Sequence, residues 1–261
     1  MTHPEWARCV GAVVCDDQHR VYVQLRALGR PVLPGIWDII GDYLKHGEDD
    51  EAAVRRSLRE QVGWRLRRME AAIGDWDWTH DGATRHETDY LVEVDGDLSA
   101  PCLNPRKHSQ FAWVGPKEIR LLEQGWLNYD SRLRDVVAKA MRIRITSRLR
   151  LEPIGPEHAS DLWRINRGVE ISSRRGGEWT LSMASNYTSR YHRQWEDCGA
   201  GMWMAYERAS GNALGYGGLR ISHAGCVELT ECVMRNDITE FGYVDEITEA
   251  AMAFSSEMKS G

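Results

Sequence analysis

The sequence predicts a mixed α+β / α/β protein built from two successive, dissimilar domains, and three observations carry that expectation. Short alternating apolar runs recur between residues 8 and 115. A helical pattern with an apolar stripe spans 48–62. At Arg142 a new alternating run begins, "RIRITSRLRLEPIG", and the chain beyond it repeats neither the residues nor the order of the chain before it. The chain has 261 residues, enough for two ordinary domains, and the pattern switch divides it into 1–143 and 144–261.

In order, "RCVGAVVCDDQHRVYVQLRA" places a buried-type run, a polar turn at Asp16 to His19, and the alternation Val21, Val23, Leu25, which predicts a hairpin. "RPVLPGIWDIIGDYLKHGE" is a loop region punctuated by Pro and Gly. Glu48 to Val62 predicts a helix with apolar Ala53, Val54, Leu58 and Val62, its start favoured by acidic residues at 48–51 through the helix dipole. "HETDYLVEV" and "SQFAWVG" read as strands, "GPKEIRLLEQG" as a helix entered at Pro116, and Asp130 to Met141 as a second helix. Beyond the switch come a strand at Leu149–Pro153, a helix opened by Pro156, a loop "RRGGEW" and a helix through "SNYTSRYHRQWEDCG". Three strands come next, "GMWMAYER", "ALGYGGLRIS" and "CVELTECVM", then a helix over Val244–Met258. "GYGG" is read as strand glycines, because no helix comes after it as a phosphate loop would require.

Composition excludes several classes. With 42% hydrophobic and 28% charged residues the chain is neither disordered nor fibrous, and a net charge of −6 gives no electrostatic footprint for nucleic acid. No apolar run approaches the roughly 20 residues of a membrane span. "MTHPEWARCV" lacks the basic start and apolar stretch of a signal peptide, so the expected location is cytoplasmic. The six Cys form no CxxC pair and are expected to be reduced core thiols. His80, His86 and His108, in or near predicted loops, could each serve as a base and read more simply as surface histidines. Trp76 and Trp78 of "DWDW" could stack on a base or sugar and read more simply as strand packing.

Residues 57, 60 and 61 are spaced i, i+3, i+4 and share one face of the 48–62 helix. Carboxylates so placed could hold a hard divalent cation against a diphosphate. Residues 8 to about 140 resemble a Nudix hydrolase domain. The family box, G-x5-E-x7-R-E-U-x-E-E-x-G-U with U aliphatic, aligns without a gap from Asp42 through Glu48, Arg56, Ser57, Leu58, Glu60, Gln61 and Gly63 to Trp64. The flanking "GAVVCDDQHRVYVQLRA", "PGIWDIIGD", "HETDYLVEVDGDL" and "FAWVGPKEI" resemble the family's strands and loops in order. The resemblance implies a mixed α/β/α sandwich that binds a nucleotide-like or diphosphate-containing metabolite. It also implies Mg2+ or Mn2+ as cofactor, with Glu48, Arg56 and Glu60 as catalytic residues and Glu60 and Gln61 as metal ligands. The box departs from the family at Asp42, Ser57 and Gln61, and Lys45 stands where many members have another glutamate. Ser57, Glu60 and Gln61 then bring one negative charge where the family brings three, which implies weak or lost hydrolysis. An active divergent pyrophosphohydrolase relying on Glu60 is the alternative, and a scaffold without a small-molecule site is another.

From Arg148 onward the chain resembles the N-terminal two thirds of a GNAT acetyltransferase, through "RLRLEPIGPEHASDLWRI", "YTSRYHRQWEDCGAGMWMAYERASGNALGYGGLR" and "VELTECVMRNDITEFGYVDEITEAA". Gly242 and Tyr243 match the close of that family's pyrophosphate-binding turn, whereas Glu240 stands at its first glycine and Asp245 adds a second acid. Acetyl-CoA is therefore not the expected cofactor. Glu228 and Glu231 are possible bases in the family sense, and alternating sheet positions in the blander one. The strands that complete the GNAT fold do not come after this helix, so an incomplete α/β domain acting as a homodimer or partner surface is expected.

Overall fold

The computed structural model describes residues 6–167, 179–221, 227–230, 232–235 and 242–260. It forms two compact units, Met1–Arg142 and Ile143–Gly261. Both are mixtures of sheet and helix, in keeping with the α+β class.

Among the described residues unit 1 carries seven strands: β1 (Trp6–Val13), β2 (Val21–Arg26), β3 (Trp37–Asp38), β4 (Ile40–Tyr43), β5 (Arg65–His80), β6 (Ala83–Asp95) and β7 (His108–Val114). One sheet runs β4-β1-β6-β5, with β1 parallel to β6, and a second runs β3-β2-β7. The hairpin expected over residues 8–27 forms only at its corner. There Asp16 Oδ1 accepts from the backbone N–H groups of Gln18 and Arg20 at 3.0 and 2.8 Å, His19 takes a left-handed φ of 58°, and Cys15 bridges Val21. Beyond the corner the strands part into different sheets. Val10, Ala12 and Val13 on β1, and Val21, Tyr22 and Val23 on β2, are all buried, so each strand needs cover on both faces and serves as a sheet centre.

Helix α1 (Asp50–Val62) begins where the acidic run predicts. Asp49 is its N-cap, accepting from Ala52 N–H at 2.8 Å, and Gly63 ends it at φ 76°, a conformation that costs a glycine little. Its stripe of Ala53, Val54, Leu58 and Val62 packs with Val10, Tyr22, Ile40 and Trp64, and the Tyr22 and Trp64 rings meet edge to face at 4.9 Å.

Pro116 does not open a helix. Only a short 3-10 turn forms at Ile119–Leu122, because Asp130 Oδ2 accepts the N–H groups of Gln124 and Trp126 and closes the segment onto α2 (Leu127–Arg142). His80 and His108, expected at the surface, are buried: His80 at the end of β5 tilts against Trp126, and His108 begins β7. Cys102 and Cys198 lie exposed rather than in a core.

Unit 2 is an antiparallel sheet in the order β12-β11-β10-β9-β8: β8 (Arg144–Ile145), β9 (Leu149–Pro153), β10 (Met202–Glu207), β11 (Ala213–Ile221) and β12 (Val227–Leu229). β13 (Val233–Met234) also pairs with β11. Alternation along β10 sends Trp203 and Ala205 into one core with α5 (Tyr243–Ser260), and Met202, Met204 and Tyr206 into another with α3 (Ala159–Asn166) and α4 (Leu181–Cys198). The "RRGGEW" loop lies outside the described residues apart from Trp179. Among the described residues no helix is long and apolar enough to cross a membrane.

Candidate functional site

The loop from β4 into α1 is tied down by one ion pair. Arg56, on the second turn of α1, donates from Nε to Glu48 Oε1 and from Nη2 to Glu48 Oε2, both at 2.8 Å, and again from Nη2 to the Tyr43 carbonyl at 2.8 Å. Glu48 also accepts the Lys45 N–H at 2.9 Å. The Arg56 hydrogen bonds hold the Glu48 carboxyl down at about 2, against the lesser opposing pull of burial. Both oxygens of Glu48 are therefore committed to the loop. Arg56 is buried, so this fork is a structural clamp rather than a solvated contact.

Gln61 turns inward. Its Nε2 donates to the Gly41 carbonyl at 2.7 Å, its Oε1 accepts from Gln24 Nε2 at 2.6 Å, and the side chain is buried. The amide oxygen expected to meet a cation is already engaged in joining α1 to β2, while its nitrogen joins α1 to β4. Ser57, where the family has an acid, is fully buried, and its hydroxyl has no partner among the described residues.

Glu60 faces outward and meets a residue that sequence reasoning missed. Lys107 Nζ lies 3.3 Å from Glu60 Oε2 and 2.9 Å from Asp42 Oδ2, and Lys45 Nζ lies 3.9 Å from Glu60 Oε1. Lys107 is delivered by the segment after β6, which docks on the C-terminal end of α1. Cys102 N–H donates to the Val62 carbonyl at 2.9 Å and Asn104 N–H to the Gln61 carbonyl at 3.0 Å, satisfying acceptors that a helix end leaves open. Lys107 N–H then bonds the Asn104 carbonyl, and its own carbonyl accepts from Ala27 N–H, both at 2.9 Å. Burial works to raise the Asp42 carboxyl, yet Lys107, Tyr43 N–H and Arg56 together hold it below the usual carboxylate range.

A divalent cation does not fit these donors as they stand. Both oxygens of Glu48 accept from Arg56, Asp42 Oδ1 accepts Tyr43 N–H while its Oδ2 meets Lys107 and Arg56, and both oxygens of Glu60 face lysines. No group of three or more His, Cys, Asp or Glu able to hold a metal ion occurs among the described residues.

Beside this cluster a cleft opens, about 410 Å³ counting its mouth and with free room of about 40 Å³, enough for a few waters. Half-buried Arg26, Arg30, Asp42 and Tyr43 line it with buried Cys9, Asp38, Trp78, Glu87 and Tyr129. Arg26 is fixed by the Val32 and Leu33 carbonyls and lies 3.3 Å from Asp38 Oδ2. Tyr129 O–H donates to Asp38 Oδ1 at 2.8 Å, and Trp78 Nε1 donates to Glu87 Oε2 at 2.6 Å. Trp78 is thus a strand residue that also faces the cleft. Burial pushes the Asp38 and Glu87 carboxyls above their ordinary range, and neighbouring Asp89 and Asp38 raise Glu87 further. His108 is held neutral at about 3 by burial and then by Arg26, Arg30 and Lys107. Arg30 Nε has no partner among the described residues.

In unit 2, Gly242 (φ 69°) and Tyr243 stand at the start of α5 as expected. The Tyr243 ring lies under the Arg148 guanidinium at 4.3 Å and its hydroxyl donates to Glu207 at 3.0 Å. Asp245 and Glu246 occupy the first turn, and Glu246 accepts from Thr146 and Arg148. Glu228 pairs with Arg220 at 2.8 Å on an exposed face, and Glu231 and Glu240 lie outside the described residues.

A NUDIX domain model matches residues 5–136. "Nucleoside triphosphatase NudI" of Salmonella paratyphi B is 30% identical over 104 residues, covering 36% of this chain and 72% of that protein. "Isopentenyl-diphosphate Delta-isomerase" of Clavibacter michiganensis is 26% identical over 111 residues, and the chain spans only 56% of its length and 41% of its own. Among solved structures, a MutT protein from Methanosarcina mazei is matched at a TM-score of 0.45 and 17% identity, over 54% of this chain and 97% of that one. A GnaT-family chain from Bordetella pertussis is matched at 0.41 and 17%, over 46% and 74%. Neither structural likeness bears on activity. The family match spans just over half of the chain, and through it this chain belongs to the NUDIX domain family.

Proposed function

We propose that unit 1 binds a nucleotide-like or other diphosphate-containing metabolite in the cleft beside the α1 loop, with hydrolysis weak or lost. The observation that carries the reading is the mixed polar lining of the cleft. Buried Asp38 and Glu87 offer carboxyl oxygens to the N–H groups of an amide-like edge. The same lining holds Arg26 and Arg30, and Lys107 stands beside it on Asp42, which suits an anionic group. The free room is too small for a ring, so entry displaces a side chain. Arg30, whose Nε has no partner among the described residues, is the side chain that moves and then meets the ligand in this reading.

Weak hydrolysis follows from the box. Glu48 and Gln61 are committed to the fold and Ser57 is buried, which leaves Glu60 alone and lysine-flanked. Titration calorimetry against ADP-ribose and nucleoside di- and triphosphates, with and without Mg2+, tests the reading. Saturable binding weakened by Arg30→Ala supports it, and no binding in either condition removes it. Phosphate release that needs Mg2+ and vanishes in Glu60→Gln would establish hydrolysis instead.

In the same proposal unit 2 is a GNAT-like domain that has no acetyltransferase role and provides a dimerisation surface. The acidic first turn of α5 disfavours a pyrophosphate there, and Val244 and Met252 of the same helix are 37% and 49% exposed. Light scattering should find a dimer that Met252→Glu dissociates, and a monomeric wild type rejects this part.

A further inference from the structure

Three side chains far apart in sequence meet beside the cleft, which Asp42 lines: Asp42 on β4, Glu60 in the last turn of α1, and Lys107 just before β7. Charge is already balanced there. Asp42, Glu48 and Glu60 supply three carboxylates, and Lys45, Arg56 and Lys107 three cations, each within ion-pair distance of at least one of the acids. Lys107 is not a loose surface lysine. Only 19% of its side chain is exposed, and its N–H and carbonyl are both bonded to the fold. Two of the three ammonium protons can be directed at Asp42 and Glu60, which leaves one for a ligand oxygen.

We infer that the Lys107 ammonium is the resident cation of this site: it occupies the place between Asp42 and Glu60 where a divalent ion would be held, and it meets the ligand's anionic group without a metal. A divalent ion entering would add two positive charges to a balanced cluster and would have to expel an ammonium from two carboxylates. Mg2+, which sheds its own water reluctantly, gains little by that exchange. The identity of the ligand rests on the proposed function, whereas the exclusion of the metal does not.

Two measurements separate these. Mn2+ titration of the ligand-free protein, monitored by electron paramagnetic resonance, should show wild type and Glu60→Gln alike within about threefold. Wild-type affinity about tenfold or more above Glu60→Gln overturns the inference, since ~1.4 kcal/mol of specific ligation would then be present. In calorimetry with ADP-ribose, wild type should bind equally in EDTA and in excess Mg2+. Lys107→Met should weaken binding by about 10- to 100-fold in EDTA, the worth of one charge-assisted hydrogen bond, and Lys107→Arg should restore most of it. Binding that requires Mg2+, or a Lys107→Met variant that binds like wild type, overturns the inference. Melting curves confirm that each variant is folded. If no ligand binds wild type in either condition, the functional proposal fails and the Mn2+ titration alone decides the role of Lys107.

Discussion

Replacing Asp89 with Asn should flatten the pH dependence of unit 1's stability. Asp89 lies on β6 opposite Gly11 of β1 and Gly74 of β5, and a Cβ on either glycine would run into its carboxyl. Trp76 Nε1 donates to Oδ2 at 2.7 Å, and Oδ1 has no partner among the described residues. Burial pushes the Asp89 carboxyl up to about 7. Trp76 and Glu87 oppose the shift through hydrogen bonds, while Asp38 and Asp75 add to it. A group whose folded pKa is raised holds its proton more tightly in the folded chain. Between about pH 4 and pH 7 the unfolded chain therefore loses that proton first, and stability falls as pH rises. A rise from the ordinary carboxylate range to about 7, at ~1.4 kcal/mol per pH unit, gives a ceiling of about 4 kcal/mol, which is shared with Asp38 and Glu87 because their charges raise one another. Asn keeps an acceptor for Trp76 and cannot ionise. Relative to wild type, Asp89→Asn should gain roughly 1–2.5 kcal/mol on going from pH 5 to pH 8, since about a third of the ceiling is already lost below pH 5. Urea unfolding at both pH values measures this, with unit 1 tracked by hydrogen exchange of β5–β6 peptides because a two-unit chain need not unfold in one step. Equal pH slopes in wild type and Asp89→Asn would refute the reasoning.

Glu48→Gln breaks the fork on Arg56 and should cost about 1.5–3 kcal/mol at neutral pH. Because the Glu48 carboxyl is depressed to about 2, its contribution in wild type should be fully present above about pH 4.5 and fade as pH falls toward 2, as denaturation across that range would show. Gln61→Leu leaves the Gly41 carbonyl and Gln24 amide unpaired inside the fold and should lower stability by about 1–3 kcal/mol, read as a shifted urea midpoint with an unchanged slope. Gly74→Ala places a methyl 2.6 Å from both Asp89 Oδ2 and Val136 Cγ2, and a loss of about 1–3 kcal/mol in the same assay is expected. A neutral result would mean that β5 can shift away.

Local signals were legible where the chain bonds to itself. The acidic run, the stripe of Ala53, Val54, Leu58 and Val62, and Gly63 mark α1 because capping, helical period and a left-handed terminus are properties of consecutive residues. Glu48 and Arg56 were legible through the resemblance to the family box, at whose glutamate and arginine positions they stand. The long strand β5 was not, since its residues 65–72 alternate weakly and only "DWDW" suggested a strand. Asp38, Glu87 and Asp89 read as ordinary polar positions, since nothing in their local sequence shows that β3 and β6 will turn them into the same interior.

By itself, then, the sequence determined the mixed α+β class, the helix α1 with the loop before it, and the single negative charge that Ser57, Glu60 and Gln61 bring to one helix face. Tertiary structure alone decided that β1 and β2 serve different sheets, that Gln61 braces the core, and that Lys107 stands between Asp42 and Glu60. Helices and caps are closed by neighbours in the chain, whereas sheet pairing and charge clusters join residues tens of positions apart. Those partners are chosen by burial and by backbone bonds such as Cys102 and Asn104 make to the end of α1.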